Sequence, residues 1–319
     1  MRKVIGIGET VYDIIFRNDQ PIAAVPGGST FNAIISLGRA GIAASFISET
    51  GDDRIGRNII KFLNNNNVDS SNVNVYPNTK SPLSLAFLND SNDAEYIFYK
   101  DHPNDRLDFS YPKIERDDIV LMGSYYVINP VIRQQVAGFL EYARQQGAII
   151  YYDVNFRASH KHEFMKLTPN IIENLEYADI VRGSSEDFEI MYGKSDGESV
   201  YRSEISFYTK KFVYTQGSGP VELHAEGGIK KQYAVAKCET VSTIGAGDNF
   251  NAGIVFGLLK HGITRDIIDA GLTEEQWDGI VSCALRFSAN VCKSINNYID
   301  NTFAAEMKQE MADFIEKQQ

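Results

Sequence analysis

The chain has 319 residues, 43% hydrophobic and 23% charged, with a formal net charge of −11. That composition belongs to a globular protein with a substantial core, long enough for two domains or one large domain with an insertion. An acidic balance without a long basic block excludes nucleic acid and membrane surfaces as partners, since both need clustered Lys and Arg. A small anionic substrate asks only for a local site. No apolar run approaches the ~18 residues of a membrane-spanning helix. The start MRKVIGIGETVYDIIF has neither the apolar stretch nor the cleavage site of a signal peptide. Cys238, Cys283 and Cys292 form no C-x-x-C pair and read as reduced thiols. The expected compartment is the cytoplasm.

In chain order, VIGI (4–7) reads as a buried strand, and residues 11–26 are extended and mixed, ending at Pro26. STFNAIISLGRAG is a helix closing at Gly41, SFIS (45–48) is a strand, and NNNN (64–67) is a loop after a helix. Residues 83–99 are two β-rich runs around the polar turn NDSND, which predicts a hairpin. DIVLMG (118–123), AIIYYDV (148–154), DIVR (179–182) and KFVYT (211–215) are further buried strands. VIRQQVAGFLEYARQQG places Ile132, Val136, Phe139, Leu140 and Ala143 on one helical face, with Gly147 as the stop. NFNAGIVFGLLKHG has Phe250, Ile254 and Leu258 on one face and stops at Gly262. IVSCALRFSANVCKSI carries the stripe Ile280, Ala284, Leu285, Ser288, Val291 and Ile295. The tail from about Thr302 is a packing helix through Phe303, Met307, Met311, Phe314 and Ile315.

Strand–helix alternation predicts an α/β fold: a doubly wound, mainly parallel sheet with helices on both faces. Ligands then bind beyond the carboxyl ends of the strands. The α/β domain is assigned to residues 1–10, 27–73 and 102–319. Residues 11–26 and 74–101 form a discontinuous insertion, a small β-sheet lid. The edges of such a lid offer a surface for a homodimer.

Several motifs fall short of known chemistry. GIGETV (6–11) follows a strand but has Val11 where a dinucleotide fingerprint needs its third glycine. No G-x-x-x-x-G-K-[ST] occurs, HKHE (160–163) lacks the histidine spacing of a zinc helix, and GSG (217–219) does not complete G-x-S-x-G. TIGAGDNFNAG (243–253) is different. A helix begins at or near Asp248, and the amides of Gly245, Ala246 and Gly247 lie where an anion can approach its positive end. As a cap alone Asp248 would contribute ~1 kcal/mol, and a cap needs neither Gly-Ala-Gly nor Gly253. A carboxylate beside an anion-binding loop suits phosphoryl transfer. There the protein positions groups, stabilises charge and accepts the proton of an attacking hydroxyl.

VSTIGAGDNFNAGIVFGLL (241–259) resembles the signature D-T-x-G-A-G-D-x-F-x-A-G of the ribokinase-like (PfkB) carbohydrate kinases. PGGSTFNAIISLGRAG (26–41) resembles their di-glycine signature, and SFISETGDDRIGRNI (45–59) their F-I-G-x-x-G-D-D-x-F-G segment. YYDVNFR (151–157) resembles their D-x-N-x-R strand end, and TQGSGP (215–220) their T-x-G-x-x-G turn. These resemblances run in order over nearly the whole chain, and GETVYDIIF with DVNFR is most like fructokinase-like members.

The resemblance implies an ATP- and Mg²⁺-dependent kinase acting on a primary hydroxyl of a sugar, fructose first. Ribose, 2-keto-3-deoxygluconate and nucleosides are alternatives within the family, and a non-catalytic sugar-binding regulator is the alternative of another class. By the same resemblance Asp248 is the base, and Gly245, Ala246 and Gly247 are the anion hole for the γ-phosphate. Asp13, Gly28 and Asn32 hold the sugar hydroxyls, and Arg157 lies near the sugar and the transferred phosphate unless it pairs with Asp153. Thr215, Gly217 and Gly219 follow the nucleotide, and Asn290 lies near the adenine. Three departures stand out. Ser242 replaces the aspartate that helps bind a monovalent cation in relatives, which puts potassium dependence in doubt. The N-x-x-E element that orders water around Mg²⁺ reads SSED (184–187), leaving Asp187 or its neighbour Glu186 for that role. Lys100 takes the place of the lid arginine and lacks its bidentate fork.

Overall fold

The computed structural model describes residues 2–88, 94–100, 107, 110–236 and 240–316; Cys238 and the NDSND turn lie outside them. In chain order the strands are β1 (Val4–Ile7), β2 (Val11–Arg17), β3 (Gln20–Gly27), β4 (Ala44–Gly51), β5 (Val68–Asp69), β6 (Val73–Tyr76) and β7 (Leu83–Leu88). They continue with β8 (Ala94–Tyr99), β9 (Ile119–Gly123), β10 (Ile149–Asp153), β11 (Ile180–Ser184), β12 (Phe212–Thr215), β13 (Val221–His224) and β14 (Lys230–Tyr233).

Short apolar runs become the centre of the large sheet because both of their faces are covered. Every residue of β1, β4, β9 and β10 is buried, as in a parallel sheet sandwiched by helices. Among the described residues the order is β14-β13-β12-β11-β10-β9-β1-β4-β5, with β6 on β4. Neighbours from β12 to β5 run parallel, while β13 and β14 continue antiparallel. The chain starts at β1 and builds outward on both sides of it, so the sheet is doubly wound. One apolar core lies under the helices Ser29–Arg39, Ala246–Lys260, Glu274–Val291 and Asn301–Glu316. The other lies under Arg133–Gln145, Phe164–Tyr177 and Ser185–Tyr192.

The Ala246–Lys260 helix is buried at every position from Asn249 to Leu259, so the expected single apolar face is an all-round one. A side chain on Gly253 would bring its Cβ within 2.4 Å of the Ala284 Cα. Gly253 therefore admits the Glu274–Val291 helix and does not serve an anion. Ile295 lies beyond the end of that helix at Val291 and is exposed.

The second sheet has the order β3-β2-β7-β8. Its first hairpin turns through Asn18 and Asp19, both left-handed at φ 50° and 58°, the geometry that Asn and Asp tolerate in tight hairpins. β7 and β8 pair antiparallel as expected, and β2 and β7 pair parallel. β6 differs from expectation. Val73–Tyr76 pairs with Ser48–Gly51 of the large sheet, so residues 74–76 belong to the body rather than to the lid. Asp13, Ile15, Ser84 and Ala86 are buried on one lid face. Tyr12, Ile14, Phe16, Leu83, Leu85 and Phe87 are half-buried on the other. No described helix is long and apolar enough to cross a membrane.

Candidate active site

The lid strand β2 leaves the carboxyl end of β1 through Gly8–Thr10, and β3 returns through Gly27 and Gly28 into the Ser29–Arg39 helix. Gly28 has φ 126°, and a Cβ there would meet the Glu9 carbonyl at 2.3 Å. Only glycine makes that return without strain. It sets Ser29 and Asn32 on the first turn of a helix facing the start of the Ala246–Lys260 helix. Gly245 is the left-handed N-cap of that second helix, at φ 77°, with Asn297 backbone against it. The first-turn amides beyond it, at Ala246 and Gly247, have no intrahelical acceptor.

Asp248 is the third residue of this helix and makes no capping bond to it. Its carboxylate accepts from Ser29 Oγ at 2.7 Å and from Asn32 Nδ2 at 2.8 Å. The cap that was the plainer alternative for Asp248 is not made: its oxygens are aimed across to the neighbouring helix. Burial pushes its pKa up, while the Asn32 and Ser29 bonds and the charge of Arg157 pull it down.

Asp13 stands close by on the lid, 6% exposed. It accepts from Ser84 Oγ and, at 3.2 Å, from Asn297 Nδ2. Burial raises its pKa to about 6; the Ser84 bond opposes this and the charges of Asp248 and Glu9 add to it. Tyr96 of β8 is half-buried over the two acids. Its hydroxyl is pushed up by burial first and then by Asp13, with Arg157 acting the other way. Arg157 itself is exposed. The ion pair with Asp153 that was its alternative is made by Arg182, at 2.9 Å. Lys100, at the end of β8, reaches Glu9 of the body at 2.6 Å. Asn32 Oδ1 and Asn297 Oδ1 are buried without a hydrogen-bond partner.

Two carboxylates, unsatisfied amide oxygens and a cation thus converge beside the start of the Ala246–Lys260 helix, where the Ala246 N–H donates to the Thr243 carbonyl at 3.1 Å. The profile of the pfkB family carbohydrate kinases matches residues 1–293. The chain belongs to that family. The kinase is 29% identical over 249 residues to 5-dehydro-2-deoxygluconokinase of Geobacillus kaustophilus, covering 73% of this chain and 72% of that protein. Among solved structures it is similar to Vibrio cholerae fructokinase bound to fructose, ADP and calcium (TM-score 0.82, 18% identity, 96% and 99% covered). It is also similar to Salmonella enterica aminoimidazole riboside kinase with its riboside and an ATP analogue (TM-score 0.80, 18% identity, 97% and 100% covered). At those identities the likeness is one of fold.

On the side of the kinase where a nucleotide is expected, Thr215 ends β12 and its hydroxyl accepts from Arg182 Nη2 at 2.6 Å. Gly217 is left-handed in an open turn, and Gly219 N–H closes that turn on the Gln216 carbonyl. Asn290 does not point to a free site: its amide donates to Asp300 Oδ2 at 2.7 Å and accepts from Asp300 N–H at 3.1 Å. It steadies the residue that opens the last helix. Glu186 is exposed. Asp187 is buried and occupied, accepting from Phe156 N–H at 2.8 Å and from Ser184 N–H and Oγ at 2.6 and 2.8 Å. Asp187 completes a capping box with Ser184. Ser242 is buried with its hydroxyl accepting from Ile244 N–H.

Ser29, Ser84, Tyr96, Arg182 and Asn297 escaped the sequence reading. Ser29 sits inside the di-glycine stretch, where its type alone was a signal. The others reach the site through strand register and long-range packing, which no local pattern announces.

Proposed function

We propose that this kinase transfers the γ-phosphate of ATP to a primary hydroxyl of a sugar or sugar acid, with Asp248 as the base. The observation that carries the reading is the Asp248 carboxylate. It is held by Ser29 and Asn32 and displayed beside the amides of Ala246 and Gly247, so proton acceptor and anion hole share one helix turn. A hydroxyl held by Asp13 and Asn32 would give its proton to Asp248 as the oxygen attacks phosphorus. The Gly245–Gly247 turn would meet the charge that develops on the transferred group. Thr215, Gly217 and Gly219 would line the nucleotide.

Among the described residues, no group of three or more metal-ligating side chains could hold a metal. Asp153 and Asp187 are engaged by protein donors. That donor set does not fit a resident ion. It leaves room for a hydrated Mg²⁺ carried by the nucleotide's own phosphates; bound there, the metal would supply charge neutralisation. With Ser242 turned inward, no potassium requirement is expected.

Fructose remains one acceptor. The name of the Geobacillus relative, together with the exposed Arg157 and the Lys100 ammonium at the rim, favours a hexonate as a second reading. Turnover with Mg-ATP against fructose, ribose, 2-keto-3-deoxygluconate, 5-dehydro-2-deoxygluconate and nucleosides decides, with ADP release as the readout. Saturable sugar binding without turnover on every member would leave a non-catalytic sugar-binding protein. The apolar outer face of the lid would pack against a second copy.

A further inference from the structure

Arg182, on β11, carries the most deeply buried positive charge near the site, at 7% exposure. Its Nη1 donates to Asp153 Oδ1 at 2.9 Å and its Nη2 to Thr215 Oγ1 at 2.6 Å. Its two terminal nitrogens lie beside the first turn of the Ala246–Lys260 helix: a Cβ on Gly247 would stand 3.3 Å from Nη2 and 3.5 Å from Nη1. The other oxygen of Asp153 accepts from Asn251 Nδ2 at 2.8 Å, and Tyr151 OH donates to Asn251 Oδ1 at 2.8 Å. β10, β11, β12 and the phosphate-side helix are therefore tied together at one guanidinium.

Folding alone gives little reason for this arrangement. A cation at the first turn of a helix opposes the partial positive charge already there. Burying an ion pair costs solvation that an apolar substitute would avoid, often with no loss of stability. Arg182 Nε is moreover buried without an acceptor, a cost that native cores usually avoid. The carboxylates of Asp153 and Asp187 flank the guanidinium and offset its charge. What the arrangement supplies is position: the Gly247 turn and the Thr215 turn are set against the same two nitrogens.

We propose that Arg182 is a positioning residue for phosphoryl transfer. It fixes the Gly247 turn and the Thr215 turn at one separation. The proposal rests on the reading of the Gly247 turn as the phosphate site. The flat fork matters as well as the charge, because Nη1 and Nη2 serve two partners at once.

The test compares wild type with Asp248→Asn, Arg182→Lys and the double variant Arg182→Met/Asp153→Asn, which removes both members of the ion pair. Thermal unfolding and near-ultraviolet circular dichroism establish that each is folded; Arg182→Lys keeps the charge and provides the result if the double variant does not fold. Turnover and KM are measured with the best acceptor, and Mg-ATP affinity by calorimetry. The expected result is an unchanged sugar KM, a weakened Mg-ATP affinity and a kcat about a hundredfold lower in the double variant, with partial recovery in Arg182→Lys. Variants within about threefold of wild type in kcat and Mg-ATP affinity, alongside an inactive Asp248→Asn, would overturn the proposal and leave the phosphate site standing. A wild type that neither binds Mg-ATP nor turns over would overturn both.

Discussion

The carboxylate of Asp248 is steadied by donors from another helix, and its basicity is therefore set by residues that do no chemistry themselves. Asp248→Asn should lower kcat by about 10²–10⁴ while leaving sugar and ATP binding in place, read by turnover and calorimetry. Ser29→Ala is the finer probe. Ser29 lowers the Asp248 pKa, so its loss should move the acidic limb of the kcat–pH profile to higher pH, read from kcat measured across the acidic range. In the proposed reaction Asp13 would hold the other end of the acceptor. Its carboxyl titrates at about 6: above that pH it is ionised and accepts from sugar hydroxyls, and below it is neutral. The sugar KM should therefore rise as pH falls through 6, by about tenfold per unit at the limit of one proton. In Asp13→Asn that limb should disappear and KM be high throughout.

At the scale of elements, glycine shows what a sequence can and cannot say. Gly245 and Gly253 lie in one motif and share one property, the missing Cβ, yet the first opens a left-handed helix start and the second admits a neighbouring helix. Nothing local distinguishes them, because the reason lies in what comes close. Gly253→Val should cost ~2 kcal/mol or more, measured as a lower urea midpoint, with kcat of the folded fraction near that of wild type. The central strands were legible because burial on both faces demands continuous apolar runs. β13 and β14 were not: β14 alternates exposed and half-buried residues and its sequence KKQY has no apolar run. Asp248 drew attention because the small residues of its turn precede it in sequence, while its partners Ser29 and Asn32 lie over two hundred residues away. Arg182 and Asn297 were not, because register and packing alone bring them to Gly247 and Asp13.

Over the whole molecule, the two sheets divide the site: a helix packed on the large one carries the Gly245–Asp248 turn, and the small one holds Asp13 and Tyr96. The outer face of the lid, with Ile97 and Tyr99 exposed beside Leu85 and Phe87, is an apolar surface of the kind that a partner covers. Light scattering should give twice the chain mass of 35.7 kDa, and Ile97→Lys should return a monomer. A wild type that is monomeric at all concentrations would remove the lid as a dimer surface.

Ser29 and Asp248 are 219 residues apart in the chain, and nine of the eleven residues of the Ser29–Arg39 helix are buried, most of them against elements made much later. At ~5–20 residues per second of synthesis, that helix waits on the order of ten to forty seconds for its partner. Through that interval only the side of the helix that packs on the early strands is covered. The long-range contact that joins Ser29 to Asp248 leaves part of an apolar surface bare until synthesis is nearly complete.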